Sequence, residues 1–396
     1  MRSEIGSPSV VRILLLSGVL LALLALPHRA DAYAWMIRHD YTGCAMCHAD
    51  PSGSGLLTPY GQAQGDLLLR TRYGDGAAEE ADPSAGFLFG TVAPPPWLLL
   101  GGAFRAMELW TKIDGAPIVS DLILMQADFE AGLHAGSWRA AASLGAVTSN
   151  GSAAAIAGNV VSREHWFGYA FDDDTLLLRG GRINVPYGLR SIEHTLFVRS
   201  QTRTDLNDTQ QDGIAIAYTR DGFRGELMGI AGNYQIHPDA FRERGYSGFF
   251  EWSPVDRGAI GVSTLLTHAA TDIYLHVANT RQAHGAFARF APIRSLVLMG
   301  EFDFVLESPR GGPALNGYAT MLQADLEPIQ GLHLVATGET WQPGGPSTSF
   351  WYGGWLGADW FFAPHADVRF DIMERHMGGP VNVNVAAYMA QVHLYL

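Results

Sequence analysis

Lysine is almost missing from this chain: Lys112 stands alone beside 25 arginines in 396 residues. That ratio by itself points to no chemistry, but the formal net charge of −13 does. An acidic protein repels polyanions, so nucleic acid is excluded as a partner. Cysteine is nearly as scarce, with only Cys44 and Cys47. Two cysteines cannot build a disulfide framework or a four-thiolate zinc site. Charged residues make up only 16% of the chain, well under the roughly 25% usual for soluble domains. Beyond residue 32 no segment offers 18 or more uninterrupted apolar residues, which excludes a later helical membrane span. What is abundant is hydrophobic residues, at 47%, and glycine, at 46 copies. This profile suits a β-rich membrane protein whose strands are apolar on one face only.

The two cysteines fall in one run, Cys44-Ala45-Met46-Cys47-His48. C-x-x-C-H is the attachment signature of a c-type haem. Each thiol closes a thioether to a vinyl group of the porphyrin, and the histidine that follows is held where it can ligate the iron. A Cys44–Cys47 disulfide would leave His48 without a reason. A thioredoxin-like site wants a βαβ context that is not near. A zinc site would need two further ligands with no cysteine left to give them. One covalent haem c is therefore expected, held by Cys44, Cys47 and His48. His39 is the nearest histidine to serve as second axial metal ligand, with Met36 the local alternative.

Residues 1–32 read as a secretory signal. Arg2 and Arg12 flank a basic start, Ile13 to Pro27 is leucine-rich, and Ala30-Asp31-Ala32 offers a small-x-small cleavage site. Losing three arginines and two acids with the signal moves the net charge from −13 to −14. A haem segment then covers residues 33–80. Asp50-Pro51-Ser52-Gly53-Ser54-Gly55 is turn chemistry. Leu56 to Gly61 can pack on a porphyrin, and a short helix starts at Thr58 or Pro59 and runs towards Arg70. A few dozen residues are too few for a self-sufficient core, so haem or docking must stabilise this piece. Residues 81–96, small, acidic and then proline-rich, form a linker.

From Trp97 to Leu396 period-two alternation recurs. In Asp367-Val368-Arg369-Phe370-Asp371-Ile372 the charges share one face and the apolar groups the other. Leu298, Phe302 and Phe304 alternate with Met299, Glu301 and Asp303, and Phe129 with Asp128 and Glu130. A soluble sandwich would turn the polar face to water, whereas a transmembrane barrel turns the apolar face to lipid and the polar face to its lumen. Short connections near His134–Ser137, Asp172–Thr175, Arg220–Phe223, Ser253–Arg257, Ala291–Arg294, Glu327–Gly331 and Phe362–Ala366 alternate with longer ones. This pattern predicts an all-β, up-and-down antiparallel transmembrane barrel of about 16 strands with both ends periplasmic. Trp97, Trp110, Trp252, Phe290, Trp360, Phe361 and Phe362 near strand ends suit aromatic girdles. The long connection Asn184–Gln211, with Arg190, Glu193, His194, Arg199, Arg203, Asp205 and Asp208, either folds inward or is a solvated loop. The lumenal carboxylates Asp128, Glu130, Glu301 and Asp303 are expected to pair with Arg139, Arg179 and Arg369. His333 and His393 are placed on the lumen side near the periplasmic mouth.

Together these residues resemble a known family. C-x-x-C-H soon after a signal (Cys44, Cys47, His48), then L-T-P-Y-G (Leu57, Thr58, Pro59, Tyr60, Gly61), then a barrel is similar to the fused monohaem cytochrome–porins of the bacterial outer membrane. Gly181-Arg182-Ile183-Asn184-Val185-Pro186-Tyr187-Gly188-Leu189-Arg190 also resembles a recurring porin segment. The resemblance implies iron oxidation or extracellular electron transfer, and an Fe(II) oxidase as the enzymatic activity in view. The expected partners are outer-membrane lipid, a periplasmic c-type cytochrome or other redox carrier, and an extracellular metal ion or redox substrate such as Fe²⁺. The first functional reading is an electron conduit through the haem. The alternatives are a diffusion porin with a structural or gating haem plug, and a soluble periplasmic cytochrome with a β-sandwich partner.

Overall fold

The computed structural model describes residues 34–41, 43–73, 80–146, 155–157, 160–193, 195–205, 209–220, 222–233, 241–344, 349–379 and 382–396. The signal segment, His194 and Asp208 lie outside the described residues.

The first strands are β1 (Leu98–Ile113), β2 (Val119–Ala135), β3 (Trp138–Ala146), β4 (Ala155–Ala157), β5 (Val160–Val161), β6 (His165–Phe171), β7 (Leu176–Ile183), β8 (Gln211–Arg220) and β9 (Phe223–Gly232). The remainder are β10 (Glu243–Val255), β11 (Gly258–Ala269), β12 (Asn279–Ile293), β13 (Leu296–Pro309), β14 (Leu315–Ile329), β15 (Leu332–Gln342), β16 (Trp351–Ala363), β17 (Ala366–Met377) and β18 (Val383–Tyr395). Each long strand pairs antiparallel with its neighbours in sequence, and β18 pairs back onto β1 from Ala103↔Tyr395 to Ile113↔Val385. The backbone of Leu396 exchanges hydrogen bonds with Gly102, completing the seam. β4 and β5 are a small appendage on β3. Without them the closed sheet has sixteen strands, and closure leaves no unpaired edge in lipid.

The alternation decides which side faces out. Phe129, Phe302, Leu322 and Phe370 are 54%, 48%, 72% and 59% exposed, whereas Asp128, Asp303, Asp325 and Arg369 are 7% or less. Charges inside and apolar groups outside are the inverse of a soluble sandwich, which removes that reading. Connections at one end are all short, from residues 136–137 round to 364–365, and the chain enters β1 and leaves β18 at that same end. All seven short turns fall where the sequence puts them. The connection between β11 and β12 covers residues 270–278, and Asn279 opens β12.

One girdle residue is corrected. Phe361 is 3% exposed and faces inward, because it alternates with Trp360 and Phe362; its ring meets Trp35 and His333 at 6.4 and 5.7 Å. Trp97, Trp110, Phe290 and Trp360 are exposed at strand ends as girdle positions require.

The lumen is filled by two segments. The loop after β7 folds inward: Val185, Tyr187, Leu189, Leu196, Phe197 and Val198 are buried. The Leu189 amide donates to Glu301 at 3.0 Å and the Phe197 amide to Glu339 at 2.7 Å. The N-terminal segment is the second filler, and it carries the candidate site.

Candidate cofactor site in the barrel lumen

Residues 34–73 form a plug of short turns rather than a domain with its own core. A 3₁₀ helix, Ala34–His39, packs its Trp35, Met36 and Ile37 into the lumenal core beside Leu189, Phe197 and Met299. Arg38, fully buried, is ion-paired to Asp325 and to Glu327, the latter at 2.9 Å. A second anchor is Asp50, which accepts from Arg179 at 2.9 Å and from Asn184 at 3.0 Å. Burial raises the Asp50 carboxyl, but Arg179 and Arg190 outweigh it and hold the group well below the usual carboxylate range. Leu56 packs beside Leu99, and a Cβ on Gly101 or Gly132 would collide with its side chain. Docking into the barrel thus supplies the core that the plug lacks.

The L-T-P-Y-G run clamps the C-x-x-C-H run. His48 and Leu57 form an antiparallel bridge, and the Thr58 amide donates to the Cys47 carbonyl at 2.9 Å. The Thr58 hydroxyl donates to the Met46 carbonyl at 2.6 Å and accepts from the Gly61 amide at 3.1 Å, capping the helix Pro59–Gln64. Gly61 lies so close to Cys47 that any Cβ would overlap the Cys47 carbonyl. The turn 50–55 closes with positive φ at Gly53 and Gly55, +81° and +61°, where only glycine is unstrained.

Cys44 and Cys47 are buried and form no disulfide. Arg224 donates to Cys44 Sγ at 3.3 Å. His48 Nδ1 lies 3.1 Å from the Ser54 carbonyl, which sets the tautomer with the proton on Nδ1 and the lone pair on Nε2. Burial lowers the His48 pKa, keeping the ring in the neutral, ligating form. Cys47 and His48 front a cavity of about 220 Å³ between plug and wall. Met36, Leu57, Arg105, Arg190 and His393 also line it. Gly102, Ala103, Tyr395 and Leu396 belong to it too, so it lies in the short-turn half of the barrel. A second cavity of about 270 Å³ runs up the wall of β16, β17, β18 and β1 to Thr111, Arg375 and Val385. The two share Arg105, Ile192 and His393.

The other residues singled out from the sequence separate. His39 does not reach the cavity; its Nε2 is turned to Glu327 at 3.9 Å, and burial lowers its pKa to about 4. Met36, 3% exposed, does reach it. His333 is lumenal and packs on Trp35 at 4.3 Å with Nδ1 on Asp325. His393 is on the cavity, its Nδ1 held by Asp367 at 2.8 Å.

The lumenal carboxylates are partnered by other groups than expected. Asp128 pairs with Arg163 at 2.8 Å, Glu301 with Arg199, and Asp303 accepts from Tyr187 at 2.8 Å. Arg179 takes Asp50 and Glu226, Arg369 takes Glu193 and Asp371, and Arg139 takes Asp174 at a short turn. For Arg179, Arg369, Glu301 and Asp303 the reason is that plug and inward loop bring their own polar groups into the lumen, which strand periodicity does not reveal. Sequence reasoning also passed over Arg105; its inward position on β1 gains meaning only once the plug is placed beside it.

The sequence matches no known family profile, and no curated protein matches it. Solved structures do match in fold. OmpT, an outer membrane protein of Vibrio cholerae, aligns over 77% of this chain and 100% of its own with a TM-score of 0.58 and 10% identity. An anion-selective porin from Comamonas acidovorans covers 76% and 99% at a TM-score of 0.56 and 12% identity. OprB of Pseudomonas putida covers 76% and 94% at 0.55 and 10%. With its lipid-facing exterior and charged interior, the chain is a sixteen-stranded outer-membrane barrel of porin fold.

Proposed function

We propose that this barrel carries one covalently attached c-type haem inside its lumen and passes electrons between a solute reaching it from outside and a periplasmic redox carrier. The observation that carries the reading is the pairing of two unbridged buried cysteines with a neutral His48 whose Nδ1 is already engaged, with Cys47 and His48 fronting an internal cavity. These residues fit the group: Cys44 and Cys47 would take the thioethers, His48 Nε2 would take the iron, and Leu57 and Met36 would pack near the ring. A haem held there supplies one-electron redox chemistry. The chain's own residues do the rest: the plug fixes the attachment run, and the barrel shields it from lipid.

Position constrains the route. The hydrocarbon layer is about 30 Å thick, so one redox centre does not bridge it. The cavity sits in the periplasmic half, within reach of a carrier docking at the short turns. An external donor or acceptor has to descend the passage along β16, β17, β18 and β1. Fe²⁺ is the donor class that the sequence resemblance implies. The protein's net negative charge favours a cation, although most lumenal carboxylates are already paired.

A second reading is a diffusion channel whose plug is structural or gating. It is favoured by the two adjoining cavities and by the fold shared with porins. One preparation separates the two. Purified protein in liposomes with a trapped dye acceptor should reduce the dye on external Fe²⁺, and the Cys44→Ala, Cys47→Ala variant should not. Equal rates with and without the cysteines, together with open-channel conductance in planar bilayers, would leave the diffusion channel.

A further inference from the structure

Lumenal arginines in this barrel are neutralised almost throughout. Arg38, Arg163, Arg179, Arg199, Arg224 and Arg369 each meet a carboxylate within salt-bridge distance. Two that line the cavity beside His48 do not. Arg105, on the inner face of β1, has no hydrogen-bond or ion-pair partner among the described residues, and its Nε is buried. Arg190, on the inward loop, donates only to the carbonyl and hydroxyl of Ser52, at 3.3 and 2.8 Å. Asp50, whose charge Arg190 helps to stabilise from beyond contact distance, is itself in contact with Arg179. The cavity's own acids, Glu130 and Glu164, gather around Gly55, and neither comes within 4 Å of either guanidinium among the described residues.

A half-buried guanidinium with no carboxylate in contact is ready to take an anion, and the planar fork matches a carboxylate with two parallel hydrogen bonds. Two such groups on one cavity call for a ligand with two carboxylates on one scaffold. We propose that Arg105 and Arg190 bind the two propionates of the porphyrin tethered at Cys44 and Cys47, one from the wall and one from the inward loop. This rests on the haem reading above. It adds that the barrel, and not only the plug, holds the cofactor and sets its charge environment. A free dicarboxylate solute in the lumen has the same chemistry and is the rival source.

The test uses full-length protein from a host that attaches c-type haem. Arg105→Gln and Arg190→Gln should both keep covalent haem at the wild-type ratio and heat-modifiable mobility on gels. Both should shift the reduction potential downward, because loss of a nearby positive charge disfavours the added electron. Each should also move the pH dependence of that potential to higher pH, since a propionate without its guanidinium holds its proton longer. Arg105→Lys should recover part of both shifts. Unchanged potential and pH profile in both glutamine variants would overturn the proposal while leaving the haem reading intact. Wild-type protein that comes out colourless would remove the haem reading and this proposal together. In that case succinate binding, lost in Arg105→Gln, would assign the two arginines to a free solute.

Discussion

Single side chains fix the C-x-x-C-H run in place. Gly61 has no room for a methyl group against the Cys47 carbonyl, so Gly61→Ala must push the helix Pro59–Gln64 off the C-x-x-C-H turn. Overpacking of this kind costs about 1–3 kcal/mol. On the proposed haem reading, the expected result is a lower haem-to-protein ratio by absorbance with unchanged barrel mobility on gels. His39 gives a pH handle on the same segment. Burial holds its pKa near 4, below the ordinary 6.5. Between these values the undocked segment takes up a proton that the docked one refuses, so docking is fully stable above pH 6.5 and weakens as pH falls towards 4. The loss is up to about 3 kcal/mol. Hydrogen exchange of residues 34–41, followed across that range, should speed up on acidification and flatten in His39→Gln.

At the scale of elements, the plug is held by charge as much as by packing. Arg38 is fully buried between Asp325 and Glu327, and stripping one partner from a buried pair costs about 3–5 kcal/mol. Arg38→Ala should therefore release the 3₁₀ helix and open residues 34–41 to added protease while the strands stay protected. The inward loop is the second filler of the lumen. Glu301 and Glu339 tie Leu189 and Phe197 to β13 and β15, and the loop lines the upper cavity through Ile192, Glu193 and Thr195. Shortening the loop between Glu193 and Arg203 should raise single-channel conductance in planar bilayers, whichever functional reading holds. The sequence marks this loop as unusual by length alone. That it turns inward is decided by buried apolar residues spaced irregularly, which no period betrays.

For the whole molecule, deleting residues 34–73 while keeping residues 1–33 should still give a heat-modifiable barrel, because all sixteen strands and the β1–β18 seam lie outside the deletion. Its conductance should exceed that of the full chain several-fold. A failure to fold would show instead that the lumenal charges Arg179, Asp325 and Glu327 need their plug partners during assembly. Alternation along Asp367–Ile372 and Leu296–Phe304, with seven short turns, was enough to read the barrel, its strand number and both ends from the amino-acid order. A two-residue period is a local property, and a membrane enforces it on every strand. C-x-x-C-H and L-T-P-Y-G were legible for the same reason, since their contacts span fewer than twenty residues. Which arginine meets which carboxylate, why Phe361 faces in, and why Met36 rather than His39 borders the cavity were settled only by tertiary structure. The partners that matter most to the plug and the inward loop, such as Arg179 with Asp50, Arg199 with Glu301 and Phe361 with Trp35, lie more than a hundred residues apart and meet only when the barrel closes around them.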